Sequence, residues 1–228
     1  MHLFFAFKFF ELIQSLKFTV FLMNSDVRQD NFDFSSNFSK VAGWLQKLFP
    51  PEAFILDEKA WNAFPYCKTV VSNPDYMKDK FFVRIESLHV NNDRGTTENI
   101  FNLPPETLKL REVVDIDITI NPELEFRSKD YKLEFDPRKF KSAKTARGPL
   151  GEKWFKDFVP VMCCYKLVTL EFKWMGLQLL AEKFMHNSYP KLFGLFNREV
   201  FCLIDEWIGL KIEDIRRLED DARKQLDD

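Results

Sequence analysis

The stretch that decides the fold reads Asp57-Glu58-Lys59-Ala60-Trp61-Asn62-Ala63-Phe64-Pro65-Tyr66-Cys67-Lys68-Thr69. It combines three aromatic rings and a proline with several charged or hydrogen-bonding side chains. A surface turn rarely carries so many large apolar rings, and a core strand rarely carries so many polar groups. The mixture is typical of an apolar pocket with a few placed polar groups. An ordinary strand end followed by a proline turn has the same composition, so both interpretations stay open here.

The sequence on either side of this stretch predicts a β-sheet. Residues 54–73 are predicted to be extended, with Pro65 forcing a bulge, a turn or an edge position. Residues 81–90 alternate between apolar and polar side chains, and the Asn- and Gly-containing run at 91–95 closes that strand with a turn. The sequence therefore predicts one strand at 54–73, interrupted or placed at an edge by Pro65, and another at 81–90.

Residues 113–120 show a cleaner alternation and are predicted to form another strand. The apolar face consists of Val114, Ile116, Ile118 and Ile120, and the polar face of Asp115, Asp117 and Thr119. The two aspartates could form a metal or acid pair, but the solvated face of a sheet is the better interpretation.

Residues 164–176 form the most informative predicted strand. Lys166 shares a face with four apolar residues, which are Val168, Leu170, Phe172 and Trp174. A buried ammonium group is costly unless an anion lies beside it. Lys166 therefore either reaches water at the strand end or binds an anionic ligand. The distance from Lys166 to Trp174 is roughly 26 Å at the strand rise, about the length of a phospholipid.

Two helices are predicted in the C-terminal third. Residues 177–210 carry an apolar stripe at helical spacing, and Pro190 is expected to kink or split this helix. The stripe comprises Leu180, Phe184, Leu192, Phe196, Val200, Ile204 and Ile208. Residues 211–228 predict a second, charged amphipathic helix, and residues 41–49 a short one that ends at Pro50.

A basic segment precedes these helices. Five cations lie within ten positions, namely Arg138, Lys139, Lys141, Lys144 and Arg147. They form either a solvated loop or a contact with an anionic membrane. Ser142 lies among them, and a phosphate there would cancel part of the positive charge.

Composition excludes several classes of function. The 228 residues suit one domain, and a formal net charge of -2 argues against nucleic acid as a partner. The three histidines, His2, His89 and His186, lie far apart in the sequence, and no catalytic or metal-binding motif is present. The four cysteines form no C-x-x-C pair, which favours a reduced, cytosolic chain. The sequence therefore predicts a protein that is not an enzyme and uses no metal or cofactor.

The first 38 residues read as an apolar start followed by a polar linker. Lys8, Glu11 and Lys17 interrupt the apolar start, so neither a membrane span nor a signal peptide is clear. The other interpretations are an amphipathic helix, an incorrect exon in the gene model, and an alternative start.

Several motifs in register resemble the phosphatidylinositol transfer protein family. The resemblance extends from about residue 39 to the C-terminus and is closest to the small single-domain members. Its motifs are the opening stretch, residues 141–151 (KSAKTARGPLG), residues 164–169 (CYKLVT) and residues 214–217 (DIRR).

This resemblance implies an α+β fold of the helix-grip, START-like kind. A curved, mainly antiparallel sheet would wrap around a long C-terminal helix and enclose a lipid cavity. Residues 39–228 would form an N-terminally incomplete lipid-transfer domain, and residues 1–38 a segment outside it. The implied function is the exchange of phosphatidylinositol and phosphatidylcholine between membranes by a cytoplasmic monomer that touches membranes transiently. A truncated product of the same family that binds or scaffolds without transfer is the alternative.

The resemblance also implies particular residues. Glu58, Asn62, Thr69 and Lys166 would hold the lipid headgroup, with Lys166 on the phosphate. Trp174 and Met175 would contact the membrane, although the family has an aromatic residue where Met175 stands. Ser142 would be a phosphorylation site.

One part of the family's inositol site does not carry over. The family has a Thr-x-Lys pair on an early strand, and counting back from the match places Asn31 and Asp33 there. An aspartate reverses the charge beside an anionic headgroup, so we expect a preference for phosphatidylcholine.

Overall fold

The computed structural model describes residues 51–54, 56–120, 132–173, 176 and 178–227, together with the backbone of residues 28–33. The predicted helix at 41–49, the apolar start of the chain and the predicted membrane-contact residues Trp174 and Met175 lie outside the described residues.

The chain divides into two compact units. Among the described residues, those within 25–110 and 162–186 form the sheet unit, and those within 111–161 and 187–228 form the helical unit.

One antiparallel sheet forms the centre of the sheet unit. Its five strands are β1 (Arg28–Asp33), β2 (Asp57–Ala63), β3 (Tyr66–Ser72), β4 (Phe81–Asn91) and β5 (Met162–Phe172). Their order across the sheet is their order in the chain, and each pairs antiparallel with the next. The prediction of an α+β fold with an antiparallel sheet is therefore confirmed.

Pro65 lies in a turn between two strands. β2 ends at Ala63 and β3 begins at Tyr66, and these two residues are paired in register. Proline cannot donate to a ladder, so the tight turn accommodates it where a strand interior would not. The predicted extended segment at 54–73 is thus a hairpin.

β4 confirms its predicted alternation. Every second side chain is buried, in the order Phe81, Val83, Ile85, Ser87 and His89. The apolar part of this face supplies the hydrophobic side of the sheet.

The predicted strand at 113–120 is wrong. Residues 111–117 have no regular structure and a turn follows, while Val113 and Val114 are 67% and 47% exposed. Side chains form hydrogen bonds with the backbone N–H and C=O groups that pairing with another strand would require. Asp117 accepts the backbone N–H of Thr119 at 2.8 Å, and Arg198 donates its Nε–H to the carbonyl of Ile118 at 2.8 Å.

The helices are mostly in the C-terminal half. They are α1 (Pro105–Leu110), α2 (Trp154–Asp157), α3 (Gln178–Cys202), α4 (Ile204–Trp207) and α5 (Ile212–Asp227). Within the described residues, no helix has the length and the apolar character that crossing a bilayer requires.

The long predicted helix ends earlier than expected and not at its proline. Pro190 lies inside α3, and the break comes at Leu203. The indole N–H of Trp207 donates to the carbonyl of Val200 at 2.8 Å. This bond satisfies one of the carbonyls that the end of a helix leaves without an intrahelical partner. α5 follows its predicted position closely.

The core of the helical unit contains part of the predicted apolar stripe. Phe196, Val200, Ile204, Trp207 and Ile215 are all buried and form one cluster. Three of them belong to the predicted stripe, which is therefore core at these positions. Burial of large side chains of this kind is the main stabilising contribution in a domain of this size.

His89 ties the β2–β3 turn to β4. Its backbone N–H donates to the carbonyl of Pro65 at 3.0 Å, and its Nδ1 lies 3.1 Å from the same oxygen. The ring also lies against Phe64, with 5.4 Å between ring centroids. Burial, and then the nearby charge of Lys166, lowers the pKa of His89 to about 4. The imidazole is therefore neutral near pH 7.

Replacing Trp207 should destabilise the protein in two distinguishable steps. Trp207→Phe should lower the free energy of unfolding by about 1 kcal/mol, because one hydrogen bond is lost. Trp207→Ala should lower it by about 3–5 kcal/mol, because a cavity forms in the cluster. Urea unfolding followed by circular dichroism would measure both values. Equal losses for the two variants would contradict the role of the indole N–H.

Protonation of His89 should make the protein less stable in mild acid. Between about pH 6.5 and pH 4 the unfolded chain binds a proton that the folded chain does not, so stability falls as the pH falls through this window. The loss should reach at most about 3 kcal/mol. His89→Asn keeps a donor toward Pro65 and should remove this part of the pH dependence in urea unfolding. His186→Asn, at an exposed position, is the control. An unchanged slope in His89→Asn would contradict the assignment.

Candidate functional site

The sheet register places the four predicted headgroup residues on one face. Asn62 pairs with Cys67, Cys67 with Ser87, and Ser87 with Lys166, which makes one row across four strands. Residues paired in register share a face of the sheet.

The other two predicted residues lie on the same face in the following rows. Thr69 pairs with Ala60 and with Ile85, and Glu58 pairs with Val71. Three strand spacings separate β2 from β5, about 14 Å, and the four residue steps from Glu58 to Asn62 span about 13 Å. The longest separation, from Glu58 to Lys166, is therefore about 19 Å.

Lys166 lies at the polar end of this face. Its side chain is half-buried, and its Nζ donates to the hydroxyl of Ser87 at 3.2 Å. Ser87 itself is only 4% exposed. The positive charge is near enough to His89 to help lower the pKa of that ring. Lys166 thus places a cation inside a partly desolvated face, where an anionic group would interact with it strongly.

Glu58 and Thr69 add oxygen atoms to the same face. Glu58 is 5% exposed, and Thr69 is half-buried. Carboxylate and hydroxyl oxygens accept hydrogen bonds from ligand hydroxyl groups. These are the groups that a polyhydroxylated ligand would require.

The rest of the face is apolar. Beyond Lys166, β5 continues on this face with Val168, Leu170 and Phe172. Beyond Ser87 in the same direction, β4 presents the buried side chains of Ile85, Val83 and Phe81. The rings of Phe81 and Phe172 meet edge to face, 6.1 Å apart. Along β4 and β5 the face therefore has a polar end and an apolar end, whereas Glu58 on β2 lies level with Val83 and Leu170.

Sequence reasoning missed Ser87 and His89. Both continue the alternation of β4 as polar residues on an otherwise apolar, buried face. This is the same signal that singled out Lys166 on β5, and applying it to β4 would have found them.

Ser142, Asn31 and Asp33 are not brought to this face. Ser142 belongs to the helical unit, is 2% exposed and donates its hydroxyl to Asp205. Asn31 pairs with Lys59, and Asp33 pairs with Asp57. By this register, Asn31 and Asp33 belong to the face of the sheet opposite to that of Asn62.

The structure also shows the state of the cysteines and of the possible metal ligands. All four cysteines are free thiols. Burial raises the pKa of Cys163 to about 11 and that of Cys202 to about 12, so neither thiol is a ready nucleophile near pH 7. In the part of the chain that the structure describes, no group of three His, Cys, Asp or Glu residues could hold a metal ion.

Comparison with known proteins gives one consistent family. Residues 33–224 match the family model described as phosphatidylinositol transfer protein. The chain is 47% identical to the beta isoform of the phosphatidylinositol transfer protein of Homo sapiens over 194 residues, which cover 83% of this chain and 70% of that relative. It is 45% identical to phosphatidylinositol transfer protein 1 of Dictyostelium discoideum over 196 residues, covering 83% and 72% of the two chains. The chain belongs to the phosphatidylinositol transfer protein family.

Proposed function

We propose that this protein binds one phospholipid at a time and exchanges it between membranes, with phosphatidylinositol and phosphatidylcholine as cargo. The observation that carries the proposal is the sheet face on which Lys166, bonded to Ser87, lies beside an apolar surface. Relatives with this sequence pattern are named phosphatidylinositol transfer proteins, which supports inositol lipid as one cargo.

Each polar residue of the face has a role in this proposal. Lys166 binds the phosphate that both lipids share, because an ammonium group is a strong point donor to phosphate oxygens. Glu58 and Asn62 hydrogen-bond the hydroxyl groups of the inositol ring, and Thr69 adds a further hydroxyl. Choline has no such hydroxyl groups, so Glu58 and Asn62 contribute to selection of inositol.

The acyl chains lie along the apolar part of the same face. Burial of each CH₂ group stabilises the complex by about 0.8 kcal/mol, so an empty carrier is unfavourable in water. The helix-grip arrangement, with a cavity between the sheet and the long helix, is the form of the fold that this proposal requires.

The transfer cycle needs no covalent step. The protein docks on a membrane through Trp174 and Met175, opens, exchanges one lipid and leaves as a monomer. Tryptophan suits the interface between headgroups and acyl chains. In this proposal the protein works as a carrier and not as an enzyme. Phosphorylation of Ser142 would therefore regulate the transfer cycle.

Replacing Asn62 should separate the two cargo lipids. Asn62→Leu removes hydrogen bonds that only inositol can use, so phosphatidylinositol transfer should fall about tenfold while phosphatidylcholine transfer stays near the wild-type rate. Transfer of radiolabelled lipids between vesicles measures both rates. Asn91→Leu, at the exposed end of β4, is the control and should change neither. An equal loss of both lipids in Asn62→Leu would place the inositol ring elsewhere.

Replacing Lys166 should weaken the binding of both lipids. Lys166→Met removes the charge that pairs with phosphate, which should reduce the bound lipid of either kind by about tenfold or more. Lys166→Arg keeps the charge and should retain part of the binding. Lipid extraction from the purified protein followed by mass spectrometry measures this, and Lys59→Met, at an exposed position of β2, is the control. Wild-type lipid content in Lys166→Met would refute the site, and an aggregated wild type without lipid would favour the non-transferring alternative.

A further inference from the structure

A basic loop in the helical unit is not used by the site described above. The loop comprises residues 138–147. Arg138 pairs with Asp136 at 2.7 Å, whereas Lys139, Lys141 and Lys144 are exposed. Among the described residues, none of these three lysines lies within ion-pair distance of a carboxylate, although the charge of Lys144 helps to lower the pKa of Asp205.

The loop is held in one shape by Asp205 at the start of α4. The hydroxyl of Ser142 donates to this carboxylate, and the backbone N–H groups of Ala143 and Lys144 donate to it at 2.8 and 3.0 Å. The N–H of Ser142 also donates to the carbonyl of Arg147 at 2.8 Å, which closes the loop on itself. These hydrogen bonds lower the pKa of Asp205, the bond from Ser142 having the largest effect.

An exposed apolar residue lies next to the loop. The guanidinium of Arg147 donates to the carbonyl of Pro160 at 2.9 Å, and the preceding residue, Val159, is 74% exposed. Gly148, the residue after Arg147, packs closely against Lys141. A Cβ added at Gly148 would lie 3.6 Å from the Cα of Lys141. The bond from Arg147 to Pro160 therefore brings one end of the basic loop next to the residue that follows Val159.

We propose that Lys139, Lys141, Lys144 and Val159 form a surface that docks on an anionic lipid bilayer. The lysines would lie over acidic headgroups, and Val159 would enter the interface between headgroups and acyl chains. This inference rests on the proposed function only in that a lipid carrier has to dock. None of these four residues is among those predicted from the sequence to contact the membrane, Trp174 and Met175.

The residues favour a membrane over a nucleic acid. Binding of single-stranded nucleic acid usually requires exposed aromatic rings on which bases stack. The aromatic residue of the loop, Phe140, is half-buried against Phe201, with 5.8 Å between ring centroids. The exposed side chain is instead the aliphatic Val159, which gains free energy in a lipid interface and nothing from a phosphate backbone.

The test is flotation of the full-length protein with vesicles of phosphatidylcholine that contain about 30% phosphatidylserine. The wild type should float with these vesicles at about 0.1 M salt, and much less at about 1 M salt or with pure phosphatidylcholine. The triple variant Lys139→Gln, Lys141→Gln, Lys144→Gln should bind at least tenfold more weakly, since each basic residue near an anionic surface contributes about fivefold. Val159→Glu should also weaken binding, by about tenfold.

Two matched controls distinguish binding through this surface from a general effect of the protein's charge or hydrophobicity. The triple variant Lys78→Gln, Lys80→Gln, Lys109→Gln removes the same charge at exposed positions of the sheet unit and should bind within about twofold of the wild type. Leu110→Glu changes a residue that is 86% exposed in α1 and should also bind like the wild type. Circular dichroism and unfolding midpoints confirm that each variant is folded.

The outcomes distinguish the docking surface from the lipid site. Equal losses for the two lysine triples, or wild-type binding by the loop triple, would overturn the proposal. So would lysine-dependent binding to a single-stranded RNA oligomer without binding to vesicles. Bound phospholipid is measured on the same samples. A loop triple that keeps its lipid but no longer floats supports the docking surface, and a lipid-free wild type that still floats through these lysines would refute the carrier function alone.

Discussion

The pairing of β4 with β5 is the constraint on which the candidate site depends. These strands are separated by a long stretch of chain, and their eleven register pairs run without a break from Phe81 with Phe172 to Asn91 with Met162. This register brings Ser87 to Lys166 although 79 positions separate them in the sequence. A shift of one residue would move Lys166 to the opposite face, away from the row that contains Asn62.

The neutral state of His89 has an electrostatic role in this arrangement. If the ring carried a proton, two cations would lie close together on a partly buried face, and each would weaken binding of the other's counter-ion. Burial keeps the ring uncharged near pH 7, so the positive charge at this end of the face belongs to Lys166. The hydrogen bonds between His89 and Pro65 also fix the hairpin that carries the deciding stretch.

The local sequence pattern predicted the strands and helices better than it predicted how they pair and pack with one another. The alternation in β4 and β5 and the helical spacing near Phe196 could be read from the chain, because periodicity reflects which face is buried. The partner of Lys166 could not, because cross-strand register is a tertiary property. Residues 113–120 have an equally clear alternation, but the competing hydrogen bonds from Asp117 and Arg198 are invisible to periodicity. The end of α3 at Cys202 depends in the same way on a tertiary contact, the bond from the indole of Trp207 to Val200.

The burial of Ser142 has a kinetic consequence. A hydroxyl that is enclosed and already donating to Asp205 reacts only during the moments when the loop has detached. The rate at which any modifying enzyme acts there is then the product of the open fraction and the intrinsic rate of attack. A partner that holds the loop closed, such as a membrane bound to it, would slow the modification of Ser142 without changing the activity of the modifying enzyme.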